Sequence, residues 1–302
     1  MGERQMKHAG MGCALVLIFA AGGAFAQNLS VTYVEGDARM QRGSSWVGIS
    51  TGDTLPREAT VLLRAGAYVE LGATGTTITL SQNGTYNLRD IVPFSRNLKS
   101  AGVGKAILDI LAYLLNGPAH NQSTVAGVRS ANEGRGQDAE WVTSSAGVFL
   151  DSGRQYIKAG QYDKAIAQLL RALETATDQE SPTVCFYLAF AYSMIGDTRN
   201  SLKYAANVQP DGSNERSTDF IILRAKLLID SNAYAQEVAW LTQAGNDLTG
   251  DPQRADAYLL LLGAGYRGVS DISREKQALS QVVSIAAEGD LRNAAASLLR
   301  NP

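Results

Sequence analysis

The sequence predicts an α+β chain in two parts, a small antiparallel β sandwich or roll followed by an all-α solenoid of helical repeats. Two observations predict it. From Val31 to Ile91 apolar residues alternate with polar ones and glycines punctuate the runs, whereas from Ala146 onward the period is helical and the pattern recurs about every 36 residues. A third observation, a short apolar stretch near the start, sets the first residues apart as a leader.

Arg4 and Lys7 form a basic region, Cys13 to Phe25 a small apolar one, and Ala24-Phe25-Ala26 an A-x-A site before Gln27. The apolar run falls short of the roughly 20 residues needed to cross a bilayer, so residues 1–26 read as a cleaved signal peptide. A lipid-bearing cysteine would follow the apolar run, and Cys13 opens it. No later segment is long and apolar enough to span, so the expected location is the periplasm or cell envelope, without a transmembrane segment.

Taking Arg4, Lys7 and Glu3 from 27 basic and 29 acidic residues leaves 25 and 28, a net charge near −3. No basic field exists to attract nucleic acid, which is excluded as a partner. Removing the leader also leaves His120 as the one histidine and Cys185 as the one cysteine. That composition holds no disulfide, no multi-histidine metal site and no CxxC cluster. Ser273-Arg-Glu-Lys276 matches S-x-x-K only as chance allows. Gly102-Val-Gly104-Lys105 falls short of a phosphate-binding loop, because Lys99 stands where its first glycine belongs and Ala106 replaces its Ser/Thr. No catalytic residue, cofactor or metal is expected, and the protein reads as no enzyme.

The strand signals run in order. Val31, Tyr33, Ala38 and Met40 come first, then Val61 and Leu63, Val69 and Leu71, Ile78 and Leu80. Gly36-Asp37, Gly52-Asp53 and Gly66 mark turns. Asn83-Gly84 predicts a type I′ hairpin joining Thr76–Gln82 to Thr85–Arg89, since both of its residues accept positive φ. Gly52-Asp53-Thr-Leu55, Ala59-Thr-Val-Leu-Leu-Arg-Ala-Gly-Ala-Tyr-Val-Glu-Leu71 and Ser123-Thr-Val-Ala-Gly-Val-Arg129 together resemble a FecR domain. The resemblance covers roughly residues 28–133, with Ser130 in place of the usual glycine. It implies a domain fold and no more, because this chain lacks the spanning helix and cytoplasmic segment of the FecR transducer itself.

Ile107, Ile110, Leu111 and Leu114 recur at helical spacing, which predicts a helix over 101–115 packed on the sheet, or else one that docks a partner or membrane. Asn116-Gly117-Pro118 ends it. The expected β domain is thus 27–131 and includes that helix. Residues 132–145, polar and glycine-bearing, are the expected linker, and 146–302 the solenoid.

Phe149, Gly153, Tyr156, Gly160, Tyr162, Ala165, Leu169 and Ala172 fall on signature positions of a tetratricopeptide repeat, and Gly160-Gln-Tyr-Asp-Lys-Ala-Ile166 resembles its helix-to-helix turn. Equivalent sets begin at Cys185, Ile221 and Leu259, and Leu291–Leu299 supplies a capping helix. Four repeats stack because none buries its apolar face alone. The resemblance implies a concave groove lined by the first helix of each pair, with Leu150, Arg154, Lys158, Phe186, Phe190, Met194, Ile222 and Lys226 facing it. The Asn and Lys pairs with which some members clamp a C-terminal carboxylate are missing. Phe186, Phe190 and Met194 are open to two readings, a groove for a partner's apolar helix or strand, and intramolecular core. Cys185 reads as a packed, inert thiol, and Tyr156, Tyr192 and Tyr266 as repeat packing.

The expected function is a non-catalytic periplasmic or envelope scaffold, binding an unidentified protein through the solenoid. The alternative is a cell-wall or glycan-binding module that contacts peptidoglycan or another envelope component through the β domain. Trp46, Tyr68 and Tyr86 would serve it if they shared one sheet face.

Overall fold

The alternation is realised as two sheets. A computed structural model describes residues 28–73, 76–116, 145–208, 217–248 and 252–300. β1 (Leu29–Glu35), β4 (Thr54–Leu55), β6 (Tyr68–Ala73) and β7 (Thr76–Leu80) form one antiparallel sheet in the order β4-β1-β6-β7. β2 (Ala38–Arg42), β3 (Ser45–Gly48), β5 (Thr60–Leu63) and β8 (Gly84–Asn87) form the other, in the order β3-β2-β5-β8. Leu29, Val31, Val69, Leu71, Ile78 and Leu80 from the first sheet meet Val61 and Leu63 from the second in one buried cluster. Each such side chain contributes about 1.5–3 kcal/mol by leaving water.

The Asn83-Gly84 hairpin does not form. β7 pairs with β6 and β8 with β5, so the chain crosses from one sheet to the other at this turn. Only Gly84 of the two has positive φ, at 156°, whereas a type I′ turn needs both. The second run is also shorter than expected. Asn87 Oδ1 accepts a hydrogen bond from the Arg89 backbone N–H at 3.1 Å and caps a helix instead.

That helix, α1 (Leu88–Ala101), was not anticipated. Gly102, at φ 74°, turns it into α2 (Val103–Asn116). α2 is the expected helix, displaced by about a residue or two, but it is not packed on the sheet. Its stripe of Val103, Ala106, Ile107, Leu111 and Leu115 joins the helical core. α1 is the element that reaches β7 and β8.

The rest of the described chain is all-helical. α3 (Ser145–Lys158) and α4 (Tyr162–Thr175), α5 (Ser181–Met194) and α6 (Thr198–Ala205), α7 (Ser217–Asp230) and α8 (Tyr234–Leu248), and α9 (Pro252–Gly268) and α10 (Ile272–Ile285) associate as consecutive pairs, and α11 (Asp290–Arg300) follows. One turn joins all four pairs. Gly160, Gly196, Asn232 and Ser270 each take left-handed φ, at 67°, 78°, 57° and 62°. The next residue's N–H returns to the carbonyl of Tyr156, Tyr192, Leu228 or Tyr266 at 2.8–2.9 Å. This 6→1 bond is that of a Schellman motif. Within pairs, contact is close enough to demand small residues: a Cβ on Gly153 would stand 2.7 Å from the Leu169 side chain.

α2 lies against α3, α7, α9 and α11. The first helices of the pairs touch one another (α3 with α5, α5 with α7, α7 with α9), and α2 rests on that set. α5, packed by α3, α4, α6 and α7, is buried on every side from Val184 to Ala191, and α7 is buried from Asp219 to Ile229 apart from Arg224. A helix apolar all round is one that neighbours cover all round.

The leader (1–26), His120, the 123–129 strand motif and nearly all of the 132–145 linker lie outside the described residues.

Candidate functional site

Of the residues expected to face a groove, Phe186 and Phe190 are 1% and 0% exposed, and Ile222 is fully buried as well. The ring of Phe190 meets that of Tyr162 edge-on at 6.4 Å, and that of Phe186 meets Tyr187 at 5.2 Å. All three residues are core, so they present no surface to a partner. Neighbouring helices cover them: α3, α4, α6 and α7 surround α5, and α2, α6, α8 and α9 lie against α7. Met194 is half-buried against the same core. Lys226 is 7% exposed and directs its ammonium inward, donating to Ser193 Oγ at 3.0 Å and to Asp230 Oδ2. Arg154 and Lys158 on α3 remain accessible. Arg154 lies 3.7 Å from Asp151 and 5.5 Å from the Tyr187 ring centroid.

Lys226 lines a cleft of about 490 Å³ where β6 and β7, the α1–α2 elbow and α7 converge. Its charges are largely spoken for within the chain. Lys226 is matched by Asp230, and the Lys105 ammonium by Asp109 and Asp290. Glu70 accepts from the Tyr68 phenol at 2.7 Å; burial and that bond hold the phenol's proton well above the ordinary tyrosine range. Gly102, Gly104 and Lys105 are here too, at a helix-to-helix elbow. The strand that would precede a phosphate-binding loop is replaced by α1.

The wall of this cleft is the joint between the sheets and the helices, and Asn232 is its centre. Its left-handed backbone closes the α7–α8 turn, and its side chain donates to the Thr79 carbonyl of β7 at 2.8 Å. It also accepts from Ser95 Oγ of α1 at 3.0 Å and from the Tyr234 hydroxyl. Arg199 of α6 makes a second link, donating twice to Glu35 Oε2 of β1, at 2.7 and 2.9 Å, while lying 4.6 Å from the Tyr33 ring centroid. Sequence reasoning missed the joint. Asn in a position where the first two turns have glycine was the one available signal.

Cys185 is buried and free, with its Sγ 4.0 Å from Ser181 Oγ, and burial pushes the thiol up, away from the thiolate that nucleophilic chemistry requires. Ser273 and Lys276 are both exposed on α10. Among the described residues no group of three His, Cys, Asp or Glu side chains is placed to hold a metal ion. Glu237 of α8 is fully buried, neither carboxyl oxygen has a hydrogen-bond partner, and burial pushes its pKa well up. The aromatic trio is dispersed. Tyr68 is buried in the first sheet. In the second, Tyr86 falls in the row Tyr86–Val61–Met40–Val47 and Trp46 in the row opposite Gln41, so these two point to opposite faces.

No protein-family model matches the chain, and no curated protein matches it significantly. The reading of function rests on the residues.

Proposed function

We propose that this chain is a non-catalytic scaffold of the periplasm or cell envelope that holds a protein partner on its helical half, arranged as a solenoid of tetratricopeptide-like repeats. The observation that carries the reading is the recurrence of one left-handed turn at Gly160, Gly196, Asn232 and Ser270, which joins the two helices of each of four pairs in the same way. Stacked pairs of this kind build extended surfaces rather than reaction centres.

The partner is assigned to the first pair, because of the residues expected to face a groove the cations that stay accessible are on α3. Arg154 and Lys158 are accessible there, Val148 on the same helix is 52% exposed, and Tyr113 on the adjoining α2 is 58% exposed. A helix that exposes both cations and an apolar side chain suits an acidic, partly apolar protein segment.

A photo-crosslinking side chain at Lys158 of the full chain tests this. The expected result is one dominant protein adduct that Arg154→Glu abolishes. Adducts that survive the charge reversal, or none at all, overturn the assignment.

A further inference from the structure

A second cleft, of about 540 Å³, opens between the first sheet and α6–α7. Its ionic lining is Arg199, Lys203, Arg224 and Glu35, three cations against one carboxylate, in a chain whose formal net charge is −2. Arg199 and Glu35 neutralise each other through the two hydrogen bonds that link α6 to β1. Among the described residues neither Lys203 nor Arg224 has a carboxylate within ion-pair distance, whereas Arg254 and Arg267 nearby in the helices are paired with Asp219 and Glu275.

Arg224 is the one exposed residue on the otherwise buried face-to-face run of α7. Its guanidinium is held 4.1 Å from the centroid of the Trp240 ring, and that indole is itself fixed by a 3.1 Å bond to the Ile221 carbonyl and by edge contact with Phe220. A stacked guanidinium keeps its planar set of donors in one orientation, which suits a two-oxygen acceptor. Ser81, on the opposite wall, has a buried hydroxyl without a hydrogen-bond partner. A buried donor of this kind is costly unless an acceptor arrives.

We propose that this cleft binds an oxyanion, a carboxylate or phosphate group, gripped by Arg224 and Lys203 with the Ser81 hydroxyl as neutral donor. The site is separate from the α3 surface and does not depend on it. The group belongs either to a free small molecule or to an acidic side chain of a polypeptide.

Calorimetric titration of the full chain at low ionic strength with succinate, with inorganic phosphate and with a hexaglutamate peptide tests the proposal, with chloride at matched ionic strength as control. At least one of the three binds, and the Arg224→Gln/Lys203→Gln double substitution weakens it by at least about tenfold, the loss expected for removing charge-assisted hydrogen bonds. Both side chains are exposed, so the ligand-free melting temperature falls only slightly, by the lost Arg224–Trp240 stacking. Arg224→Lys alone, which keeps the charge and loses the fork, weakens binding by a smaller factor and serves if the double variant misfolds. Binding of succinate or phosphate supports the site and assigns it to a free small anion; binding of hexaglutamate alone supports it and assigns an acidic segment. Failure of all three, or binding indifferent to both substitutions, overturns it.

Discussion

Glu237 and Glu275 occupy the same place in successive helix pairs, the fourth residue of α8 and of α10. The first two pairs have Ala165 and Ser201 there. Both glutamates are buried, yet their circumstances differ. Glu275 accepts from Arg267 Nε at 2.7 Å, and the same guanidinium reaches the Leu298 carbonyl at 2.6 Å, tying α9 and α10 to the terminal helix. Three residues before its turn, where α9 has Arg267, α7 has Ile229, so the third pair offers no cation at that position. Glu237 instead extends against Gly265 of α9, where any Cβ would collide with Oε2. The difference teaches that a repeat position can meet a buried carboxyl in two ways: by supplying a partner, or by burial that favours its neutral form.

Breaking the satisfied member should have the largest effect. Arg267→Met leaves Glu275 buried and uncompensated, and the expected loss is about 3–5 kcal/mol, measurable by urea unfolding. A loss below about 1 kcal/mol would mean that water already reaches the pair.

Relieving the unsatisfied member should act in the opposite direction. Glu237→Leu removes two orphaned oxygens and is expected to stabilise by about 1–3 kcal/mol at pH 8. The pH dependence sharpens the contrast. Unfolded Glu237 releases its proton near the ordinary glutamate value, whereas the folded chain keeps it to higher pH because burial disfavours the carboxylate. Its contribution to stability is therefore complete below the ordinary value and is lost as pH rises toward the folded one. The wild-type chain should lose stability over that interval, and Glu237→Leu should lose less; parallel curves for the two proteins would refute the protonated carboxyl.

The turns of the same two pairs extend the comparison at lower amplitude. Asn232→Gly relieves a left-handed φ but removes the bonds to Thr79, Ser95 and Tyr234, for an expected net loss of about 1–2 kcal/mol. Ser270→Gly relieves the same strain and breaks no side-chain bond to another element, so a gain of about 0.5 kcal/mol is expected. Thermal melts that rank these two substitutions the other way would remove Asn232 from the joint.

The β part was legible strand by strand because alternation is a local property, and the residues at Val31, Val61, Leu71 and Ile78 are buried as their period requires. The crossing at Asn83-Gly84 was not legible, since turn chemistry says how the chain bends and not which sheet receives it. α1 escaped notice behind Pro93, which sits inside the helix, and behind a start that continues the preceding strand pattern. Spacing brought Phe186, Phe190, Ile222 and Lys226 to one set of helices, but part of what packs on that set, against α3, α7 and α9, comes from residues 103–116, far away in sequence. Arg224 was hidden for a related reason: between Phe220 and Ile229 the two cations Arg224 and Lys226 look like interruptions in a core helix, and only the sheet beside Arg224 makes a cleft.

The seat of α2 has a consequence for how the chain comes to be folded. Ile107, Leu111 and Leu115 rest on helices that end with α11, so a segment made early is completed by one made last. Closing so long a span is entropically costly and slows assembly. During synthesis the α2 stripe is covered in steps by α3, α7 and α9, and stays incompletely covered until α11, nearly two hundred residues later, has emerged.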